Sequence, residues 1–203
     1  MDNTVHFDLK SVNKGHHKVT YRGVKAIRCP FDYVLYQMII TKVKPDLIIE
    51  IGTHDGGGAL YMSDLMTLNG NGVVHTIDIV DMVKSDLVKN NPNIKRFLGG
   101  YQQYDLENTK GFETILVVDD GSHTYEDVKK SLEKFSNLVS KNSYFIVEDG
   151  ILTELGYKTY GGGPLKAIEE FLNINSEFEV DRELCDFFGK NATFNVNGFL
   201  LKK

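Results

Sequence analysis

The sequence predicts an α/β fold: a mostly parallel sheet with helices on both faces and an antiparallel hairpin at its C-terminal end. Three observations carry that reading. Short runs rich in Val and Ile alternate with segments of helical period, the pattern of βαβ units. The first long run ends in a glycine-rich turn, Gly52 to Gly58. Two later runs end in acidic pairs, Asp119-Asp120 and Glu148-Asp149.

Residues 1–25 show little periodicity, and 1–30 are expected to form an N-terminal arm or lid, with 31–203 as a single domain. A helix is expected from about Phe31 to Val43, and another beginning near Ala59. Strands are expected at Leu47–Ile51, Val73–Ile79, Lys95–Leu98, Thr114–Val118 and Tyr144–Val147. Continuous apolar runs such as Ile115-Leu-Val-Val118 suit strands buried on both faces. Tyr125, Val128, Leu132, Phe135 and Val139 recur at helical spacing, and Thr124 with Asp127 resembles a capping box at the start of that helix. Pro164 opens a further helix through Ile168, Phe171 and Leu172. Phe178–Arg182 and Thr193–Leu201 would complete the sheet as an antiparallel pair.

The chain has 203 residues, enough for one domain with a sizeable core. Its formal net charge is −5, and it contains no long Lys/Arg run, which argues against a nucleic-acid partner. No apolar stretch approaches the roughly 20 residues that cross a bilayer. The start of the chain lacks the basic-then-apolar order of a secretory signal, so a cytoplasmic protein without a membrane partner is expected. Cys29 and Cys185 have neither metal-ligand spacing nor a disulfide framework, and the acceptor pattern Asn191-Ala-Thr193 is read as chance.

The glycine turn points to a nucleotide-like cofactor. Glycines there let the backbone approach a ligand closely, and Asp78, closing the next strand, can accept hydrogen bonds from a ribose diol. The dinucleotide fingerprint fails because His54 stands where its second glycine belongs, which weakens a nicotinamide-dependent oxidoreductase. Glu50-x-Gly52-x-x-x-Gly56 instead resembles motif I of S-adenosylmethionine-dependent methyltransferases, and an acidic Glu50 suits a cationic donor without phosphate.

Asp120 and Glu148 are separated by one helix and its connections, so a right-handed crossover sets their strands side by side. Asp120, Glu148 and Asp149 would then converge at the carboxyl edge of the sheet. Mutually repelling carboxylates are reconciled by a hard divalent cation, Mg²⁺ being the expected choice. His123 follows Asp120 closely, and an imidazole can take a proton from a substrate hydroxyl near neutral pH; an equally weighted alternative is that it orients the Asp120 loop. His75 is expected within a strand, and His16, His17 and His54 on loops.

The series Tyr21-Arg-Gly23, Cys29-Pro-Phe-Asp32, Glu50-Ile-Gly-Thr53, Asp120-Gly-Ser-His123, Val147-Glu-Asp149 and Gly161-Gly-Gly-Pro164 resembles the cephalosporin hydroxylase/rhamnosyl O-methyltransferase family, in order along nearly the whole chain. The resemblance implies a Rossmann-like class I methyltransferase sheet and an S-adenosylmethionine-dependent O-methyltransferase acting on a hydroxyl of a small molecule, most often a sugar. It implies donor binding around Glu50, Gly52, Thr53, Gly57, Asp78, Gly100 and Asp120, metal at Asp120, Glu148 and Asp149, and His123 as general base. Tyr21, Arg22, Tyr160 and the Gly161–Gly163 loop are expected to close over the acceptor, and a homo-oligomer is compatible with this reading. The rival outside enzymes is a non-catalytic scaffold that keeps the fold and binds donor without metal.

Overall fold

The computed structural model describes residues 3–70 and 72–203; Met1 and Asp2, which open the expected arm, lie outside the described residues, as does Asn71. The parallel strands form in runs rich in Val and Ile, nearly continuous at the sheet centre and interrupted by Lys95 and Arg96 at its edge. They are β3 (Leu47–Ile51), β4 (Val73–Asp78), β5 (Ile94–Leu98), β6 (Ile115–Asp119) and β7 (Tyr144–Val147). In β3, β6 and β7 every residue is buried. Alternate side chains serve opposite faces: Ile48, Leu116, Val118, Tyr144 and Ile146 pack in one layer, and Leu47, Ile49, Val117, Phe145 and Val147 in the other. Each fully buried aliphatic side chain of this kind stabilises the fold by about 1.5–3 kcal/mol.

The first layer is covered by α2 (Pro30–Val43) and α3 (Gly57–Leu68), the second by α6 (Tyr125–Phe135) and α7 (Gly163–Ile174). Thr124 caps α6 by accepting a hydrogen bond from the Asp127 amide at 3.2 Å, and Pro164 sits in the first turn of α7. Short helices α4 (Asp86–Lys89) and α5 (Gly100–Gln103) flank β5.

Two further strands, β8 (Phe178–Val180) and β9 (Phe199–Lys202), give the order β5-β4-β3-β6-β7-β9-β8. The first five run parallel, and β9 pairs antiparallel with both β7 and β8. The short α8 (Arg182–Cys185) follows β8. The chain leaves β3 toward β4 and β5, then crosses back to build β6 on the other side. The tips of β3 and β6 therefore flank the switch point where open α/β sheets bind ligands.

The last strand is shorter than the alternation from Thr193 suggests. Phe194 and Val196 pack not on the sheet but in a small separate cluster with Cys29 and Ile151. Thr193 and the Phe194 amide are held by the Asp32 carboxylate at the start of α2. The N-terminal segment also has regular structure: α1 (Leu9–His16), capped by Asp8, and a hairpin of β1 (Thr20–Tyr21) with β2 (Val24–Lys25). His16 consequently ends a helix and is buried, where a loop position was expected. Both cysteines are buried and free.

Candidate active site

Two cavities open at the carboxyl edge of the sheet and share Gly52, His54, Asp120 and Gly121 in their walls. One, of about 410 Å³, is bounded by Ile77, Asp78, Ile79, Met82, Gly100 and Tyr101. The other, of about 310 Å³, is the more charged and is faced by Arg28, Glu50, His123, Asp149 and Tyr160. A long ligand with an aromatic end and a charged end could extend from one into the other.

The glycine turn makes this arrangement possible. Gly52 has φ of +99°, and a Cβ there would lie 2.1 Å from the Asp120 carbonyl oxygen, so only glycine lets the tips of β3 and β6 come this close. A Cβ on Gly58 would lie 2.6 Å from a Glu50 carboxylate oxygen. Gly57 faces elsewhere: its missing Cβ makes room for the Lys25 carbonyl of the N-terminal hairpin, although the residue still borders the charged cavity. Gly100, with φ of +77°, opens α5 against Ile79 and borders the apolar cavity.

Glu50 is buried; its carboxylate accepts the Thr76 hydroxyl at 2.6 Å, and that hydroxyl in turn pairs with Thr53 at 2.7 Å. Burial pushes the Glu50 carboxyl up to about 7, even with the Arg28 guanidinium 4.0 Å away. Asp78 accepts the amides of His54 at 2.9 Å and Ile79 at 2.7 Å, bracing the glycine turn while still facing the apolar cavity.

His123 and Asp149 both adopt left-handed backbone, with φ of +57° and +59°. For non-glycine residues this costs energy and is kept only where the surroundings enforce it. At Asp149 the amide donates to the Asn195 side chain at 3.3 Å. The result is a group of three ligand atoms, from Asp120, His123 and Asp149, all within 4.8 Å of one another. His123 Nε2 is 3.4 Å from Asp149 Oδ2 and 3.9 Å from Asp120 Oδ1. Burial and then the nearby Glu148 raise the Asp120 carboxyl well above its usual range, and burial raises Asp149.

Glu148 does not share that group. Its Oε1 accepts Arg28 Nε at 2.8 Å, Arg28 Nη2 at 2.6 Å and the Tyr36 hydroxyl. Sequence reasoning missed Arg28 and Tyr36. Arg28 lies in the aperiodic segment before α2, and its only sequence signal is a lone basic residue beside Cys29-Pro30. Tyr21 and Arg22, expected over the acceptor, instead hold Asp64 of α3 at 3.0 and 2.8 Å. Tyr160 does reach the site, with its ring centroid 6.4 Å from that of His123.

The strand order, the switch-point glycine turn and the carboxyl-edge cavities define a class I S-adenosylmethionine-dependent methyltransferase fold. A model of the family "Rhamnosyl O-methyltransferase/CmcI" matches residues 13–203, and the chain belongs to that family of O-methyltransferases. The rhamnosyl O-methyltransferase of Mycobacterium leprae is 28% identical over 197 residues, covering 91% of this chain and 83% of that one. Its Mycobacterium tuberculosis counterpart is 26% identical over 196 residues, covering 91% and 78%. A CmcI structure described as Mg-SAM superposes with a TM-score of 0.68 at 19% identity, covering 100% of this chain and 88% of that one. TomG from Streptomyces achromogenes, in complex with SAM, gives 0.60 at 15% identity, covering 99% and 92%. Among the described residues no helix is long and apolar enough to cross a membrane.

Proposed function

We propose that this protein transfers a methyl group from S-adenosylmethionine to a sugar hydroxyl with the help of a divalent cation. The observation that carries the reading is the Asp120–His123–Asp149 group, which faces the charged cavity and reaches the other through Asp120. Two of its three donors, Asp120 and Asp149, are partly exposed carboxylates facing a cavity, which fit a hard cation. The buried Glu50 at the wall of the charged cavity fits a cationic donor, since the Arg28 guanidinium 4.0 Å away compensates it only in part. The sugar is supported by the relatives named rhamnosyl O-methyltransferase.

When bound, the cation supplies charge that eases ionisation of the acceptor hydroxyl, and the donor supplies the methyl group. In this reading Glu50, Gly52, Thr53 and Gly57 bound the charged end of the donor site, and Asp78 and Gly100 the nucleoside end. His123 takes the hydroxyl proton at Nε2, and the adjacent Asp149 and Asp120 carboxylates stabilise the imidazolium that forms. Accepting a proton needs the free lone pair of Nε2, so the cation falls to Asp120 and Asp149, with Glu148 beside them, and not to His123. Tyr160 walls the acceptor side, and residues 1–30 contribute to it through Asn13, His17 and Lys25.

The test is incubation with S-adenosylmethionine, Mg²⁺ and a panel of rhamnosides and other glycosides, read by mass spectrometry for a methyl ether. Product that requires both donor and metal is expected. Donor binding without metal binding, and without methyl transfer to any sugar hydroxyl, would overturn the assignment in favour of a scaffold.

A further inference from the structure

Arg28 is among the most buried charged groups of the chain, only 3% exposed, and lies inside the acidic site. Its guanidinium rests on the Tyr36 ring at 4.3 Å. Two of its nitrogens converge on one oxygen of Glu148, at 2.8 and 2.6 Å. Nη2 also lies 3.6 Å from Asp120 Oδ2. Asp120 is thereby shared: Oδ2 faces the guanidinium, and Oδ1 faces His123 and the candidate metal group. Nη1 has no hydrogen-bond partner although it is buried. An arginine installed only to brace a carboxylate would be expected to satisfy all its donors, because each unpaired buried N–H costs about 1–3 kcal/mol.

We infer that Arg28 is an internal cation that competes with the divalent metal for Asp120 and Glu148, and so sets how weakly the metal binds. The inference rests on the metal-assisted reading above. Like charges a few ångströms apart in a shielded site repel strongly, so a fixed guanidinium against the ligand Asp120 lowers affinity for a dication. It also holds Glu148 Oε1 together with the Tyr36 hydroxyl, and Glu148 is not part of the Asp120–His123–Asp149 group. Arg28 is in this sense a positioning residue: it acts on the metal through the carboxylates it holds.

The sign of one measurement separates this from bracing. Mn²⁺ affinity is read by electron paramagnetic resonance of the free ion, and Mg²⁺ affinity by titration calorimetry, on the full chain without donor or acceptor. Arg28→Gln removes the charge and should tighten both metals by at least about tenfold. Arg28→Lys keeps the charge but not the two-pronged grip, and should stay within about threefold of the parent chain. If Arg28 merely braces Glu148 for the metal, both variants weaken binding, and that result overturns the inference. Should Arg28→Gln fail to fold, the lysine variant still decides: a loss of tenfold or more contradicts charge competition. A parent chain that binds neither metal sinks the metal-assisted reading itself, a different outcome from a wrong sign.

Discussion

Gly52→Ala tests the closeness of β3 and β6 on which the site depends. Two costs follow from the geometry. Alanine at φ of +99° occupies a backbone region that L residues rarely adopt, worth about 1–3 kcal/mol. The new Cβ would also lie 2.1 Å from the Asp120 carbonyl oxygen and 2.7 Å from its carbon, both backbone atoms that cannot rotate aside. Relieving that clash means parting the strand tips, where the Asp120 amide donates to the Ile51 carbonyl at 2.8 Å, and overpacking of this kind costs about 1–3 kcal/mol. The sum, roughly 2–6 kcal/mol, is a large share of the about 5–15 kcal/mol that stabilises a typical domain.

The assay is urea unfolding followed by circular dichroism, with donor affinity measured on whatever folded protein remains. Gly15→Ala is the control: Gly15 lies within α1 with nothing within 4 Å of its would-be Cβ, so alanine there should stabilise by about 0.5–1 kcal/mol. A loss below about 1 kcal/mol for Gly52→Ala, with donor affinity intact, would show that the strand tips part freely and that the turn is no constraint on Asp120.

His123→Ala should lower turnover by about 10²–10⁴ while leaving donor and Mg²⁺ affinity near the parent value; a parallel loss of metal affinity would make His123 a ligand and not the base. Chelation of divalent ions should abolish methyl transfer, with activity returning on addition of Mg²⁺ or Mn²⁺ and measured from product formation. Burial pushes the Asp32 carboxyl up to about 7, so between about pH 4 and 7 the unfolded chain releases a proton that the folded protein keeps, and the Asp32 contribution to stability falls as pH rises through that window. Asp32→Asn lacks this term, so its stability deficit relative to the parent, from urea midpoints in chelator, should shrink from pH 4.5 to 7.5; a deficit independent of pH would contradict a protonated Asp32.

The parts of this structure legible in the sequence are those whose physics is local. Leu47–Ile51 and Tyr144–Val147 coincide with the observed strands because a strand buried on both faces must be apolar at nearly every position. The glycine turn was readable because only glycine permits the close approach at Gly52. Partner choices decided by distant segments were not readable. Phe194 and Val196 alternate as a strand would, yet they face Cys29 and Ile151, which arrive from far along the chain. Tyr21 and Arg22 found Asp64 on α3, and nothing near them in sequence marks that acid as their partner.

The same distinction applies at the site, where the acids are local features of strand ends and the cation among them is not. Three carboxylates, Glu50, Asp120 and Glu148, lie within 4.0 Å of one buried guanidinium delivered by the N-terminal segment, and Asp149 stands next to them beside His123. One positive charge cannot compensate four negative ones. Burial first, and then the neighbouring Glu148, raises the Glu50, Asp120 and Asp149 carboxyls even with that cation nearby. In the proposed reading, a sulfonium-bearing donor at Glu50 and a divalent ion at Asp120 and Asp149 would each relieve the remaining negative charge from a different side. If Arg28 acts as inferred, the N-terminal segment that carries it would also set how much negative charge is left for those two ligands to neutralise.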